Sequence, residues 1–515
     1  MLAAESEAAM ERRQAAFRPH SIFTVLLVLL ALACGSPGAW AQKVGPEFPV
    51  NTNTVGTKEN PSVARLSDGG FVVVWQTWGY QTQAQDGSKY GVYGQRYTAA
   101  GSPADHEFQV NTYTLNDQHD PSVAGLSDGG FVVTWTSFAT AAAGQDGSRS
   151  GVYGQRYSST GKRAGGEFRV NVYTDLDQHR SSVAGLSGGG FVVTWTSVGK
   201  DGIFGRRYNA TGAAAGGEFR INTNVATSKQ DPSIAALGGG GFVITWSSIG
   251  QDNSGWGVYG QRYGAAGARA GGEFKVHTHA ALDQANSSVA GLGDGGFVVA
   301  WHSFGQDGHF HGVYGQRYSA TGAPAGGEFL VNTVKTGNQD FPSVAGLSDG
   351  GFIVTFKSNN SGGGIYGQRY SATGAPVGGE FKVNTTRPNV PRFPSVAGLD
   401  KGEFVVTWDT VHAIWGQRFG GLAPKITLNP VSRTASAGQF VTFTADASGS
   451  PAPTVQWQSH AAGQKLFTNI PGATAKTLTF QAAPAHNGNQ YRAVFSNLTG
   501  KATTTAATLT VGRGR

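Results

Sequence analysis

The sequence predicts an all-β chain in two parts: a ring of seven four-stranded sheets, then a separate β-sandwich. Three observations predict it. One unit recurs from residue 47 to 419, each copy holds four short β-rich runs, and the pattern stops near residue 424. A repeat of 51 to 60 residues belongs to stacked or radial arrays. Four strands per unit and seven units make a seven-bladed β-propeller. Composition agrees. Glycine supplies 78 of 515 residues, about 15% and roughly twice the usual share, while charged residues reach only 14%. That excludes helical arrays rich in Lys and Glu, and 39% hydrophobic content excludes a disordered chain.

The N-terminus reads as an export signal. Residues 11–20 carry positive charge, residues 22–33 are apolar, and Ala39-Trp40-Ala41 offers a small-residue cleavage site. The apolar run is shorter than a membrane-spanning helix needs. Met10 is an alternative start. Cleavage near Ala41 leaves a mature chain from Gln42, secreted, periplasmic or on the cell surface. Ala31-Leu32-Ala33-Cys34 resembles a bacterial lipoprotein box but lacks the Leu three residues before Cys34, so a lipid anchor is the alternative. Cys34 is the chain's one cysteine, which excludes disulfides and thiolate sites from the mature part.

The repeats follow from residue 42 to 421. A Ser-Val/Ile-Ala run starts at Ser62, Ser122, Ser182, Ser233, Ser288, Ser343 and Ser395, and Glu-Phe marks stand at Glu47, Glu107, Glu167, Glu218, Glu273, Glu328 and Glu380. Asp-Gly or Gly-Gly joins the first two runs, as a hairpin turn requires. Runs such as Phe131-Val-Val-Thr-Trp135 are apolar on both faces, which suits sheets covered by a neighbour on each side. The Ser-Val-Ala run resembles the innermost strand of sialidase-like blades, which implies that the Glu-Phe run is outermost. The repeat region opens with an extra outer run, 47–51, and ends without one. Residues 47–51 should therefore complete blade seven beside 414–419.

Residues 424–512 carry Gly438-Gln-Phe-Val-Thr-Phe-Thr-Ala, Pro451-Ala-Pro453, Trp457, Thr477-Leu-Thr-Phe480, Asn487-Gly488 and Gln490-Tyr-Arg-Ala-Val-Phe. This stretch resembles an immunoglobulin-like domain of the I-set kind found in bacterial exported proteins. The resemblance implies that Trp457 is the core tryptophan and Tyr491 the tyrosine corner. Ala445 and Ala493 stand where the family often has its disulfide.

Chemistry is harder to place. Arginine fills one position in all seven units, at Arg96, Arg156, Arg207, Arg262, Arg317, Arg369 and Arg418, and cross-strand pairing with the Glu-Phe glutamates is expected. The turns at Asp68, Asp128, Asp294 and Asp349 read as hairpin chemistry. Gln-Asp-Gly loops place Asp86, Asp146, Asp252 and Asp307 as single carboxylates, where calcium would want several, so loop stabilisation is expected and calcium is the alternative. Blade six has Asn359-Asn360-Ser361 instead. No other cofactor is expected. His277, His279, His302, His309 and His311 gather in or near blade five as candidate ligands for zinc or copper, or as groups that protonate together in mild acid.

Loops between second and third strands share a face with those leading into each inner strand. They carry Trp78, Tyr80, Tyr90, Trp256 and Phe310, rings suited to stacking on sugars or anchoring proteins. The net charge of +7 is scattered, without the focused stripe that nucleic acid demands. Sialidase-like propellers use an arginine cluster, a tyrosine nucleophile and acidic partners near the axis. Their Asp-box is not matched, since Ser127-Asp128-Gly129-Gly130 has other spacing, and no catalytic residue is assigned. The sequence reading is an exported, non-catalytic recognition or adhesion protein that binds a glycan or a protein surface. The alternatives are a polysaccharide-acting hydrolase or lyase, and a structural cell-surface protein.

Overall fold

The structure is a computed structural model that describes residues 42–512, apart from 80–84, 86, 88, 140–143, 361–362, 386–390, 421, 451–452, 462–463, 465 and 498–499. The export signal, Cys34, Tyr80 and Asp86 lie outside the described residues. The chain is all-β: seven four-stranded antiparallel sheets form a propeller, and an immunoglobulin-like sandwich follows. In blade one the order is β2 (Thr57–Arg65), β3 (Phe71–Trp78), β4 (Tyr90–Tyr97) and β5 (Phe108–Gln109), from axis to rim. Blade seven takes its outer strand from the start of the chain. There β1 (Gln42–Pro49) pairs with Ile414–Gly420, with Phe48 opposite Gly416.

Repeated residues hold blade to blade. Each inner-strand serine accepts a backbone N–H from the next blade, from Ser62 to Val123 around to Ser395 and Val63, at 3.1 to 3.3 Å. Seven such bonds close the ring. At each interface an outer-strand phenylalanine packs on a stacked pair of the next blade. Phe108 lies 5.2 Å from Tyr157, which stacks on Phe131 at 4.6 Å. Beneath lie the fully buried Trp75, Trp135, Trp195, Trp246 and Trp301. The Gly of each Tyr-Gly-Gln-Arg run leaves room for that phenylalanine: a Cβ on Gly315 would sit 2.5 Å from the Phe329 ring. Gly315→Ala is expected to cost about 1–3 kcal/mol by overpacking. An unchanged midpoint in chemical denaturation would refute that account.

The expected Arg–Glu pairing is not what forms. The glutamates reach back to the preceding blade, where Glu107 accepts the Thr52 N–H at 2.7 Å and its Oγ1 at 2.9 Å. The arginines reach forward: Arg96 donates to Ser159 O, Arg156 to Ala210 O and Arg418 to Ala99 O. Both columns serve the ring, because a closed array gains more from bonds between blades than from one more bond within a sheet.

In the sandwich, Phe440–Thr444 pairs with Thr477–Gln481, and Thr454–His460 with Gln490–Asn497. Trp457 is fully buried and donates to Ala475 O at 2.9 Å. Tyr491 stacks on Phe443 at 5.0 Å, and Ala445 and Ala493 are fully buried between the sheets. Packing alone fills the place of the missing disulfide.

Candidate functional site

Each inner strand slips register just before its serine. In blade one the pairing passes from Glu59–Gln76 to Ser62–Val74, so two residues face one, a β-bulge. The first bulged residue has positive φ in every blade: Asn60, Asp120, Arg180, Asp231, Asn286, Phe341 and Phe393, between +46° and +54°. Asn and Asp tolerate that conformation, whereas Arg and Phe each pay roughly 1–3 kcal/mol for it. Such residues persist in strained backbone when their side chains are needed. All seven line one cavity of about 400 Å³ on the propeller axis, which is room for a sugar-sized ligand.

Around the axis these residues read Asn, Asp, Arg, Asp, Asn, Phe, Phe, a set symmetric about Arg180. Blades two to four form a charged wall, and blades six and seven an aromatic one. Asn60 Nδ2 donates to Asp120 Oδ1 at 3.2 Å, and His119 Nδ1 lies 3.0 Å from Asp120 Oδ2. Arg180 Nη1 donates to Asp231 Oδ1 at 2.5 Å. Phe341 and Phe393 meet edge to face at 4.7 Å. Burial pushes the Asp120 carboxyl up, but the His119 hydrogen bond and the charge of Arg180 outweigh it and hold Asp120 below the usual range. Burial raises Asp231, and Arg180 offsets this only in part. One cavity thus holds two carboxylates pushed apart in acidity.

The residue just before each bulge also varies around the ring: Glu59, His119, His179, Gln230, Ala285, Asp340 and Arg392. Opposite them, on the second strands, stand Gln76, Thr136, Thr196, Ser247, His302, Lys357 and Asp409. Arg392 Nη2 bridges Asp409 Oδ2 at 2.7 Å and Glu59 Oε1 at 3.1 Å. Burial, reinforced by the Glu59 charge and opposed by Arg392, lifts buried Asp409 to about 7. The folded state therefore holds this proton more tightly than the unfolded chain. The contribution of Asp409 to stability is greatest below about pH 4 and falls as pH rises through 7, by at most a few kcal/mol. Asp409→Asn is expected to flatten that part of the profile. Urea midpoints at pH 5 and pH 8 check it, and an identical slope in the variant would contradict the assignment.

Of the sequence candidates, Trp78 and Tyr90 stand at this mouth. Trp78, Tyr90, His119 and Phe138 follow one another at 6.2 to 6.3 Å. Burial and the charges of Glu59, Asp117 and Asp120 raise the Tyr90 phenol. Trp256 begins the third strand of blade four, where its N–H donates to Asp283 Oδ1 at 2.9 Å. Phe310 is 61% exposed beside Phe304 in blade five.

The five histidines do not form one cluster. His277 is buried where six other blade exits have Asn, and its Nδ1 lies 2.6 Å from His279 O, a scaffold role. His302 stacks on His311 at 4.7 Å, and burial, with the charge of His311, drives His302 down to about 3, so the histidines do not protonate together. His309 is exposed, and its N–H donates to Asp307 Oδ1 at 3.1 Å. Among the described residues no three His, Cys, Asp or Glu side chains are placed to hold a metal ion. Asp146 accepts the Ser148 N–H at 3.0 Å and Asp252 the Ser254 Oγ at 2.7 Å, so each carboxylate caps its own turn.

What the repeats share does not mark the axial column. The signal is in the position two before each serine, where the aligned copies disagree just ahead of the constant Ser-Val/Ile-Ala run.

The chain is a seven-bladed propeller with an axial well, joined to an immunoglobulin-like domain. Residues 424–511 match the immunoglobulin I-set domain model. Over 91 residues the chain is 45% identical to Endoglucanase C of Cellulomonas fimi, a stretch covering 18% of this chain and 8% of that protein. The chain thus spans only a small part of that relative's length. A protein of unknown function from Dyadobacter fermentans is similar in structure, with a TM-score of 0.47, 11% identity, and coverage of 74% of this chain and 99% of that one. The Penicillium chrysogenum α-L-arabinanase complexed with arabinobiose gives 0.42, 12%, 73% and 98%. The leech intramolecular trans-sialidase gives 0.41, 12%, 74% and 70%. No helix among the described residues is long and apolar enough to cross a membrane.

Proposed function

We propose that this is an exported glycan-recognition protein whose ligand sits in the axial well. One observation carries the reading: sevenfold repetition is broken around the axis, where a cavity of about 400 Å³ gains an aromatic wall and a wall of planar polar groups. A pyranose has the matching form, with an apolar C–H face for Phe341 and Phe393 and edge hydroxyls for Asn60, Asp120, Arg180 and Asn286. Seven inner strands wall the well on all sides, so a chain enters end on and is read at its terminal residue. Trp78 and Tyr90 at the mouth would contact the next sugar. The match to a segment of Endoglucanase C supports a setting among carbohydrate-active proteins.

Calorimetric titration of the mature chain with oligosaccharides tests this. Binding without release of product, weakened by Phe341→Ala, is the expected result. Absence of binding to every glycan class would overturn it. A second reading, hydrolysis of the terminal residue, is favoured by the split between depressed Asp120 and raised Asp231, a pattern that suits base and acid roles. Product that disappears in Asp231→Asn would establish that reading instead.

A further inference from the structure

We propose that the axial well selects a sugar carrying a protonated amino group and rejects acidic sugars. The inference rests on the glycan reading and names the ligand class of that same site. The protein is basic overall, at +7, yet its funnel is acidic. Of the charged residues that line the cavity two are acids, Asp120 and Asp231, and one is a cation, Arg180; Glu59, Asp340 and Asp409 stand with Arg392 and Lys357 in the adjoining strand pairs. Those cations are already engaged. Arg180 is held by Asp231, and Arg392 by both Glu59 and Asp409. Lys357 lies 5.8 Å from the Phe341 ring centroid, and its charge pulls down the Asp340 carboxyl, which burial raises.

The lining thus keeps one more carboxylate than cation. Asp409 is fully buried, bridged by Arg392 and lifted to about 7, so it adds little to that charge. His179 adds little positive charge, because burial and Arg180 push its pKa down. A carboxylate ligand entering this cavity meets repulsion from Asp120 and Asp231, while an ammonium meets those carboxylates on one wall and the Phe341 and Phe393 rings on the other. Both features that recognise an organic cation thus occur in one sugar-sized cavity.

The test uses the mature chain and three probes of equal length: a glucosamine oligomer, its N-acetylated form and a galacturonate oligomer. Calorimetry at low and high salt is expected to show the glucosamine oligomer binding at least about tenfold tighter than the acetylated one, the worth of one charged hydrogen bond. That preference should shrink as salt rises, and galacturonate should not bind. Asp120→Asn should weaken both oligomers and narrow the preference, and Glu59→Gln should narrow the preference while leaving the acetylated oligomer's affinity within about threefold, since it removes charge and keeps shape. Their thermal midpoints confirm folding, and the wild-type comparison stands without them. Equal or tighter binding of the acetylated or acidic oligomer would overturn the proposal yet keep the glycan reading. Failure of all three probes to bind, together with failure of neutral oligosaccharides, would remove both.

Discussion

A chain that begins at residue 52 is expected to lose the integrity of the ring, although the residues removed amount to one short strand. Phe48 packs on Phe71 and Tyr97 of blade one, at 6.4 and 5.3 Å. Val50 is buried, Asn51 Oδ1 accepts the Ile414 N–H at 2.7 Å, and Glu47 accepts the Thr385 N–H. Burying two apolar side chains and pairing several backbone groups is worth on the order of 5 kcal/mol. The loss also strips Ile414–Gly420 of its partner, and an unpaired apolar edge invites association with other chains. Melting temperature and size-exclusion profile, compared between chains starting at 42 and at 52, are the measurements. A lower midpoint with soluble aggregates is expected, and a monomer of unchanged midpoint would show that blade seven stands on three strands.

Arg180→Gly is expected to separate function from stability. The residue sits at φ +54°, where glycine pays nothing and arginine pays for its Cβ. Against that gain stands the loss of its pair with Asp231, whose members are 47% and 22% exposed, a contact worth little at such exposure. The variant should match the wild type within about 1 kcal/mol in denaturation. Ligand affinity should fall on the order of a hundredfold, because the centre of the charged wall is gone and Asp231 is left to neutralise itself. A variant that binds normally would place the ligand elsewhere, on the outer loops around Trp256 and Phe310. A variant that unfolds would mean that the Arg180–Asp231 pair belongs to the scaffold.

These expectations differ in how far they were legible beforehand. The extra Glu-Phe run at 47–51 can be read as the missing strand of blade seven from repeat phase alone, and β1 does pair there. The arginine and glutamate columns were visible as scaffold, but their partners were not. Sequence spacing suggests a partner in the next strand, whereas the partners in adjoining blades lie 46 to 63 residues away, and over 300 where the ring closes. His277 looked like a ligand because histidine is rare here. Alignment with Asn222 and Asn332 at the same blade exits marks it as a substituted scaffold residue.

The sequence by itself determined the number of blades, the four strands in each, the closing strand's phase and the cysteine-free sandwich. Each of these depends on patterns that repeat locally, and a local pattern survives without knowledge of what lies opposite. Only the tertiary structure decided where the cavity proposed for the ligand lies. Asn60 and Phe393 are 333 residues apart in the chain, and it is ring closure that sets them on one wall of a shared cavity. The bulge then turns seven side chains of four kinds toward the axis. No single repeat contains that site, because a well on a symmetry axis exists only when every copy is in place.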